Sequence, residues 1–235
     1  MLLSLGPLAG LITTVLGLGG GMLLVLALQA LEGDPVIAMA IASPALLLGN
    51  GHRAWLYRAH FPGGREFATP WLVACGIGAM LGGLGAVAVP PIVLKVGMAL
   101  AAVYAVGRQI GWVPAVQRPR AVAAAGIVVG LASTTGGAGL LAAPFLMSLG
   151  LSGHGYLAML SISAVTMHAS RIVSFGALGA IEASHVLLAG GLAIGIAAGN
   201  AAGKHFRTRL SEDTVTRLQS VAMIAMIVLA LVGVR

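Results

Sequence analysis

Two groups of residues in this chain have types and spacing that suit chemistry. The first is a pair of glycine clusters, Val15-Leu16-Gly17-Leu18-Gly19-Gly20-Gly21 and Ser133-Thr134-Thr135-Gly136-Gly137-Ala138-Gly139. Each interrupts an apolar stretch. Glycine in a helix costs about 1 kcal/mol relative to alanine, so each stretch breaks at its cluster. A helix that restarts after such a break presents free N–H groups and a positive dipole end, which suits an anion. The backbone at Gly19, Gly20 and Gly21, and at Gly136, Gly137 and Gly139, is therefore a candidate cradle. Ser133, Thr134 and Thr135 add hydroxyls at the same level.

The second group is a set of polar residues on otherwise apolar stretches. Residues 153–176 carry Ser161, Ser163, Thr166, His168, Ser170, Arg171 and Ser174. Ser163, Thr166 and Ser170 are spaced by three and four and so share one helical face. Residues 35–57 carry Ser43 and Asn50, with His52 and Arg53 near the end. Lipid cannot hydrogen-bond these groups, so they should look into protein. Ser43, Asn50, Ser163, Thr166 and His168 are the candidate binding side chains. Arg53 and Arg171 suit either anion contact or interfacial snorkelling. All six acids, Glu32, Asp34, Glu66, Glu182, Glu212 and Asp213, fall at ends or in loops, which disfavours a cation pump. The chain has no phosphate-binding Gly-x-x-x-x-Gly-Lys-Ser/Thr motif and no Cys/His cluster of metal-ligand spacing, so neither cofactor nor metal is expected.

The elements that must carry these residues follow from composition. Of 235 residues, 59% are hydrophobic and 8% are Asp, Glu, Lys or Arg. A soluble domain carries about 25% charge. Mean hydropathy is +1.02. Soluble enzyme, nucleic-acid binder, secreted disulfide scaffold and disordered protein are excluded. The apolar runs are long and unalternating, as spanning helices rather than barrel strands require. The chain reads as an all-α integral membrane protein with no enzymatic activity. Its expected partners are the lipid bilayer and a small anionic substrate, with a homodimer left open. The formal charge of +7 comes from basic residues scattered over loops, so it encodes orientation rather than nucleic-acid binding. Cys75 is alone and can form no internal disulfide. No basic region precedes the first apolar stretch, so no cleavable signal peptide is expected.

Charge-free stretches define eight apolar segments, about 3–30, 35–57, 68–90, 92–113, 121–149, 153–176, 183–203 and 214–234. An offset of 118 brings two halves into register. Gly19, Gly21, Leu23, Leu28, Leu31, Ala40, Ser43 and Arg53 then fall on Gly137, Gly139, Leu141, Leu146, Leu149, Ala158, Ser161 and Arg171. Asn50 falls on His168. The expected organisation is one transmembrane domain of two four-segment repeats, 1–113 and 121–235, joined by a linker at 114–120. The first helix of each repeat is broken by glycine and either unwinds or re-enters.

Loop charge bears on that choice. With segments one and five re-entrant, one side collects ten basic residues and the other keeps Lys95, Arg171 and Arg235. This split obeys the positive-inside rule better than eight full crossings do. It leaves three crossings per half, so the repeats are inverted, an arrangement common among secondary transporters. The expected location is the inner (plasma) membrane, multi-pass.

Gly17-Leu-Gly-Gly-Gly-Met-Leu-Leu-Val and its echo Gly136-Gly-Ala-Gly-Leu-Leu-Ala-Ala-Pro-Phe-Leu resemble the paired signatures of the sulfite exporter TauE/SafE family. The half-endings Gly78-Ala-Met-Leu-Gly-Gly-Leu-Gly and Gly195-Ile-Ala-Ala-Gly-Asn-Ala-Ala-Gly-Lys-His-Phe-Arg-Thr-Arg-Leu-Ser are similar to it too. The resemblance implies a secondary transporter that exports sulfite, sulfonates or related sulfur-containing anions. The proline expected after the glycines is Pro144 in the second half, but Leu26 stands at the matching first-half position. Two alternatives stay open. One is a passive anion channel. The other is a rhomboid-like protease, for which Gly150-Leu151-Ser152-Gly153 would supply the nucleophile and His168 or His185 the base.

Overall fold

A computed structural model describes residues 2–17, 20–86, 112, 119–135 and 138–211, and beyond them 213–215, 217–219 and 221–222. All of the expected segment 92–113 but Trp112, most of 214–234 and most of the linker lie outside these residues. So do Gly19, Gly136 and Gly137. Among the described residues there is helix and turn but no strand.

The helices are α1 (Leu2–Leu16), α2 (Gly20–Glu32), α3 (Pro35–Leu56), α4 (Ala68–Gly85), α5 (Pro119–Ala132), α6 (Ala138–Ser148), α7 (Gly153–Ala177) and α8 (Ala183–Arg207). Single 3₁₀ turns occupy Arg58–His60 and Ser133–Thr135. Among the described residues, α4, α7 and α8 are long and apolar enough to cross a membrane. Ser4–Leu16, Gly20–Glu32 and Arg120–Ala132 are apolar but shorter. Local sequence explains the ends. Asp34 caps α3, its Oδ1 accepting from Val36 N at 2.7 Å and Ile37 N at 3.4 Å, and Pro35 takes the first helical position. Glu182 and His185 form a reciprocal capping box at the start of α8.

The two breaks fall at the glycine clusters. Gly17 turns the chain at φ +73°, a region costly for any side chain, and a Cβ there would also press on the Tyr156 ring. Gly20 then lies so close to α1 that a Cβ would strike Ala9 O and Thr13 Oγ1. In one straight helix residues 9 and 20 would stand about 16 Å apart. The chain therefore doubles back on itself between α1 and α2.

Helices α3 and α7 lie against each other, with α8 along α3 and α4 along α7. The outer pairs are α1 on α8 and α5 on α4, while α2 rests on α3 and α6 on α7. Glycines four apart make both outer crossings tight. Gly6 and Gly10 of α1 meet Gly195, Gly199 and Gly203 of α8, where a Cβ at 199 would strike Pro7 O. Gly78 and Gly82 of α4 meet Gly126 and Gly130 of α5, where a Cβ at 130 would strike Cys75 O. In lipid no hydrophobic effect drives helices together, so such close van der Waals approach takes its place.

Candidate functional site

The polar residues of α7 divide between two faces rather than lining one. Ser163 Oγ accepts the indole N–H of Trp71 at 2.9 Å and donates to Met159 O. Trp71 is fully buried and stacks on Phe145. Thr166 Oγ1 bonds Ile162 O, while Thr166 and Ser170 lie beside Gly76 of α4. Ser174 donates to Met80 O of α4 at 2.9 Å. This face holds α4 against α7. The expected meeting of Ser163 and Thr166 with Asn50 does not occur: the Ser163 hydroxyl meets Trp71 of α4, the Thr166 hydroxyl bonds its own helix with its methyl toward Gly76, and Asn50 belongs to the α3 side. The spacing signal was real, but it marked a helix interface.

The other face centres on two buried arginines. Arg53, on α3, is 2% exposed, and Arg171, on α7, is 1% exposed. Interfacial snorkelling, one of the two expected roles, is excluded by that burial. Arg53 donates from Nε to Ser161 Oγ at 2.7 Å, from Nη1 to Thr13 O at 2.7 Å and from Nη2 to Asn50 Oδ1 at 3.0 Å. Asn50 is held in turn by its Nδ2–H bond to Leu46 O. Arg171 donates from Nη2 to Ser133 O at 2.6 Å and, more loosely, from Nη1 to Ser43 Oγ at 3.4 Å. Ser43 itself donates to Met39 O.

Thr13 lies in the last turn of α1, which ends at Leu16, and Ser133 follows α5, so each arginine caps a carbonyl left open by a helix break. A broken helix at membrane depth must have those groups satisfied by protein. Gln219 does the same for Leu16 O at 2.6 Å. Buried Asn200 is also fully engaged: it accepts from Thr14 at 2.8 Å and donates to Gly49 O at 2.7 Å. Sequence reading did not single out Asn200, Trp71 or Thr13. An asparagine in mid-span was the available signal.

The remaining predicted residues are placed as follows. Gly20 is consumed by the α1 contact, a Cβ at Gly21 would meet the Leu46 side chain at 3.5 Å, and Gly139 is partly buried in α6. Thr134 Oγ1 bonds Leu131 O, and Thr135 closes the 3₁₀ turn. His168 is 8% exposed and its Nδ1 has no partner. Ser133 Oγ and Arg171 Nε are likewise buried without partners. Every described acid is exposed, so among the described residues neither arginine meets a carboxylate. Ser152 heads α7 and is exposed, whereas His168 lies 16 residues further along that helix, about 24 Å away. They cannot form a protease dyad. His185 Nδ1 accepts from Glu182 N.

A family model, sulfite exporter TauE/SafE, matches the chain over residues 2–231. The chain belongs to the sulfite exporter TauE/SafE family. Membership makes it a membrane protein of a family that exports sulfite and related sulfur anions. No curated relative and no solved structure matches it.

Proposed function

We propose that the chain is a secondary transporter, multi-pass in the inner membrane, that exports small sulfur-containing oxyanions such as sulfite and sulfonates. The observation that carries this reading is the pair of arginines at 2% and 1% exposure, with no carboxylate near either among the described residues. Two unpaired cations in a low-dielectric interior are costly unless an anion joins them. Both guanidinium groups sit at helix breaks between α3 and α7, and the less fully engaged Arg171 offers an oxyanion donors with no described carboxylate opposite.

The proposed architecture is a pair of inverted repeats. Its support is the way the packing pairs up: α1 with α8 and α5 with α4, around α3 with α7. Under the offset of 118 these are reciprocal contacts between corresponding segments. Arg58, Arg65, Lys204 and Arg209 are exposed, which supports a cytoplasmic side for them under the positive-inside rule.

The test is a thermal-shift series in detergent with sulfite, sulfate, thiosulfate, sulfoacetate and taurine, followed by anion efflux from proteoliposomes. A ligand at 100 times its Kd stabilises by about 2.7 kcal/mol. Stabilisation by sulfite or sulfonates with saturable efflux supports the exporter. No response to any anion refutes it, and non-saturating currents indicate a channel instead.

A further inference from the structure

The two arginines occupy matching positions, yet their surroundings differ. Arg53 uses Nε, Nη1 and Nη2 in bonds of 2.7, 2.7 and 3.0 Å. Asn50, three residues before it, supplies the third acceptor. At the position corresponding to Asn50 stands His168, which gives Arg171 no such bond. Arg171 keeps one short bond, at 2.6 Å to Ser133 O, while Nη1 reaches Ser43 Oγ only at 3.4 Å and Met39 Sδ at 4.0 Å. Its Nε is buried and unpartnered.

Two further orphan groups accompany it. Ser133 Oγ belongs to the residue whose carbonyl Arg171 grips, and the residue is 0% exposed. His168 lies three residues before Arg171 on α7, and its Nδ1 is orphaned. Guanidinium N–H and hydroxyl O–H donate, and Nδ1 donates in one neutral tautomer. Buried donors without partners are rare; the Tyr57 and Tyr156 hydroxyls are others, but these three sit on residues joined by one hydrogen bond and one helical turn, which calls for an explanation. A pyramidal or tetrahedral oxyanion with several acceptor oxygens answers all three and neutralises the one guanidinium.

We propose that the substrate site is asymmetric: Arg171, Ser133 and His168 bind the oxyanion, while Arg53 is a structural strut that joins the halves. This rests on the exporter reading and deepens it. The repeats thus share a scaffold, and the replacement of asparagine by histidine at one position frees one arginine for substrate.

The experiment measures sulfite and sulfoacetate affinity by thermal shift in detergent, with chloride as ionic-strength control. It compares wild type with Arg171→Gln, Arg171→Lys, Ser133→Ala and Ser161→Ala. Arg171→Gln should weaken binding at least about tenfold, the size of a lost charged hydrogen bond. Arg171→Lys should recover part of that loss. Ser133→Ala should weaken binding about fivefold, whereas Ser161→Ala, which removes a hydroxyl bonded to the strut and to its own helix at Leu157 O, should lower the melting temperature and leave affinity within about twofold. The serine pair decides the matter even where Arg171→Gln fails to fold. Equal losses in Ser133→Ala and Ser161→Ala, or a loss in Ser161→Ala alone, would overturn the asymmetry. Wild-type binding that Arg171→Gln leaves unchanged would overturn the site but not the exporter. A wild type that responds to no anion would overturn the exporter reading and the site together.

Discussion

Arg53 and Ser161 are 108 positions apart and are joined by a 2.7 Å hydrogen bond from Nε to Oγ. Arg171 and Ser43 form the reciprocal contact at 3.4 Å. Ser161 thus receives Arg53 and Ser43 receives Arg171, a reciprocal exchange that the proposed two-fold repeat would require. Since Ser161 also donates to Leu157 O, its oxygen ties the α7 backbone to a buried cation. The short member of the pair is the mechanical one.

Removing that strut should be expensive. Arg53→Gln deletes three hydrogen bonds and uncovers Thr13 O at the end of α1. We expect a loss of about 3 kcal/mol, read as a lowered melting temperature in detergent. A variant as stable as wild type would show that the α1 end is satisfied by other means.

The outer crossings depend on bare backbone. Gly199→Ala would drive a methyl into Pro7 O, and Gly130→Ala one into Cys75 O. Each should cost about 1–3 kcal/mol through overpacking. Gly190→Ala on α8 meets nothing within 4 Å and should be neutral or stabilise by up to about 1 kcal/mol. Comparing the three melting temperatures separates packing from helix propensity.

The break itself is tested at Gly20. A methyl there meets Ala9 O and Thr13 Oγ1 and must push α2 off α1. Because Thr13 O is also the Arg53 acceptor, Gly20→Ala should lower both stability and anion efflux. Normal efflux from a folded Gly20→Ala protein would detach the reversal from transport.

Ser163→Ala leaves the buried Trp71 indole without an acceptor. The expected cost is about 1–3 kcal/mol, with unchanged anion affinity in whatever protein folds. Weakened affinity at full stability would return Ser163 to the binding site.

Orientation is open to cysteine labelling in a Cys75→Ala background. Gly64, beside exposed Arg65, and Gly179, in the short α7–α8 turn, are both exposed. An impermeant reagent applied from outside should label Gly179→Cys and spare Gly64→Cys. Labelling of both from outside would refute the proposed inverted topology.

Composition and glycine placement by themselves determined the solvent and the breaks. A chain with 8% charge has too little polar surface for water, and consecutive glycines stop a helix wherever they fall. The cap at Asp34 and the segment limits of α3, α7 and α8 were legible for the same local reason. Which polar face served which neighbour was not legible. Three-and-four spacing put Ser163, Thr166 and Ser170 on one stripe, but only the tertiary structure turned that stripe to α4 and its Trp71. Equally, sequence register paired Arg53 with Arg171 and Asn50 with His168. Only packing decided that Asn50 completes one arginine while His168 leaves the other open. Hydrogen-bond satisfaction is a property of several elements meeting at one point, and spacing along one helix carries no record of what stands opposite.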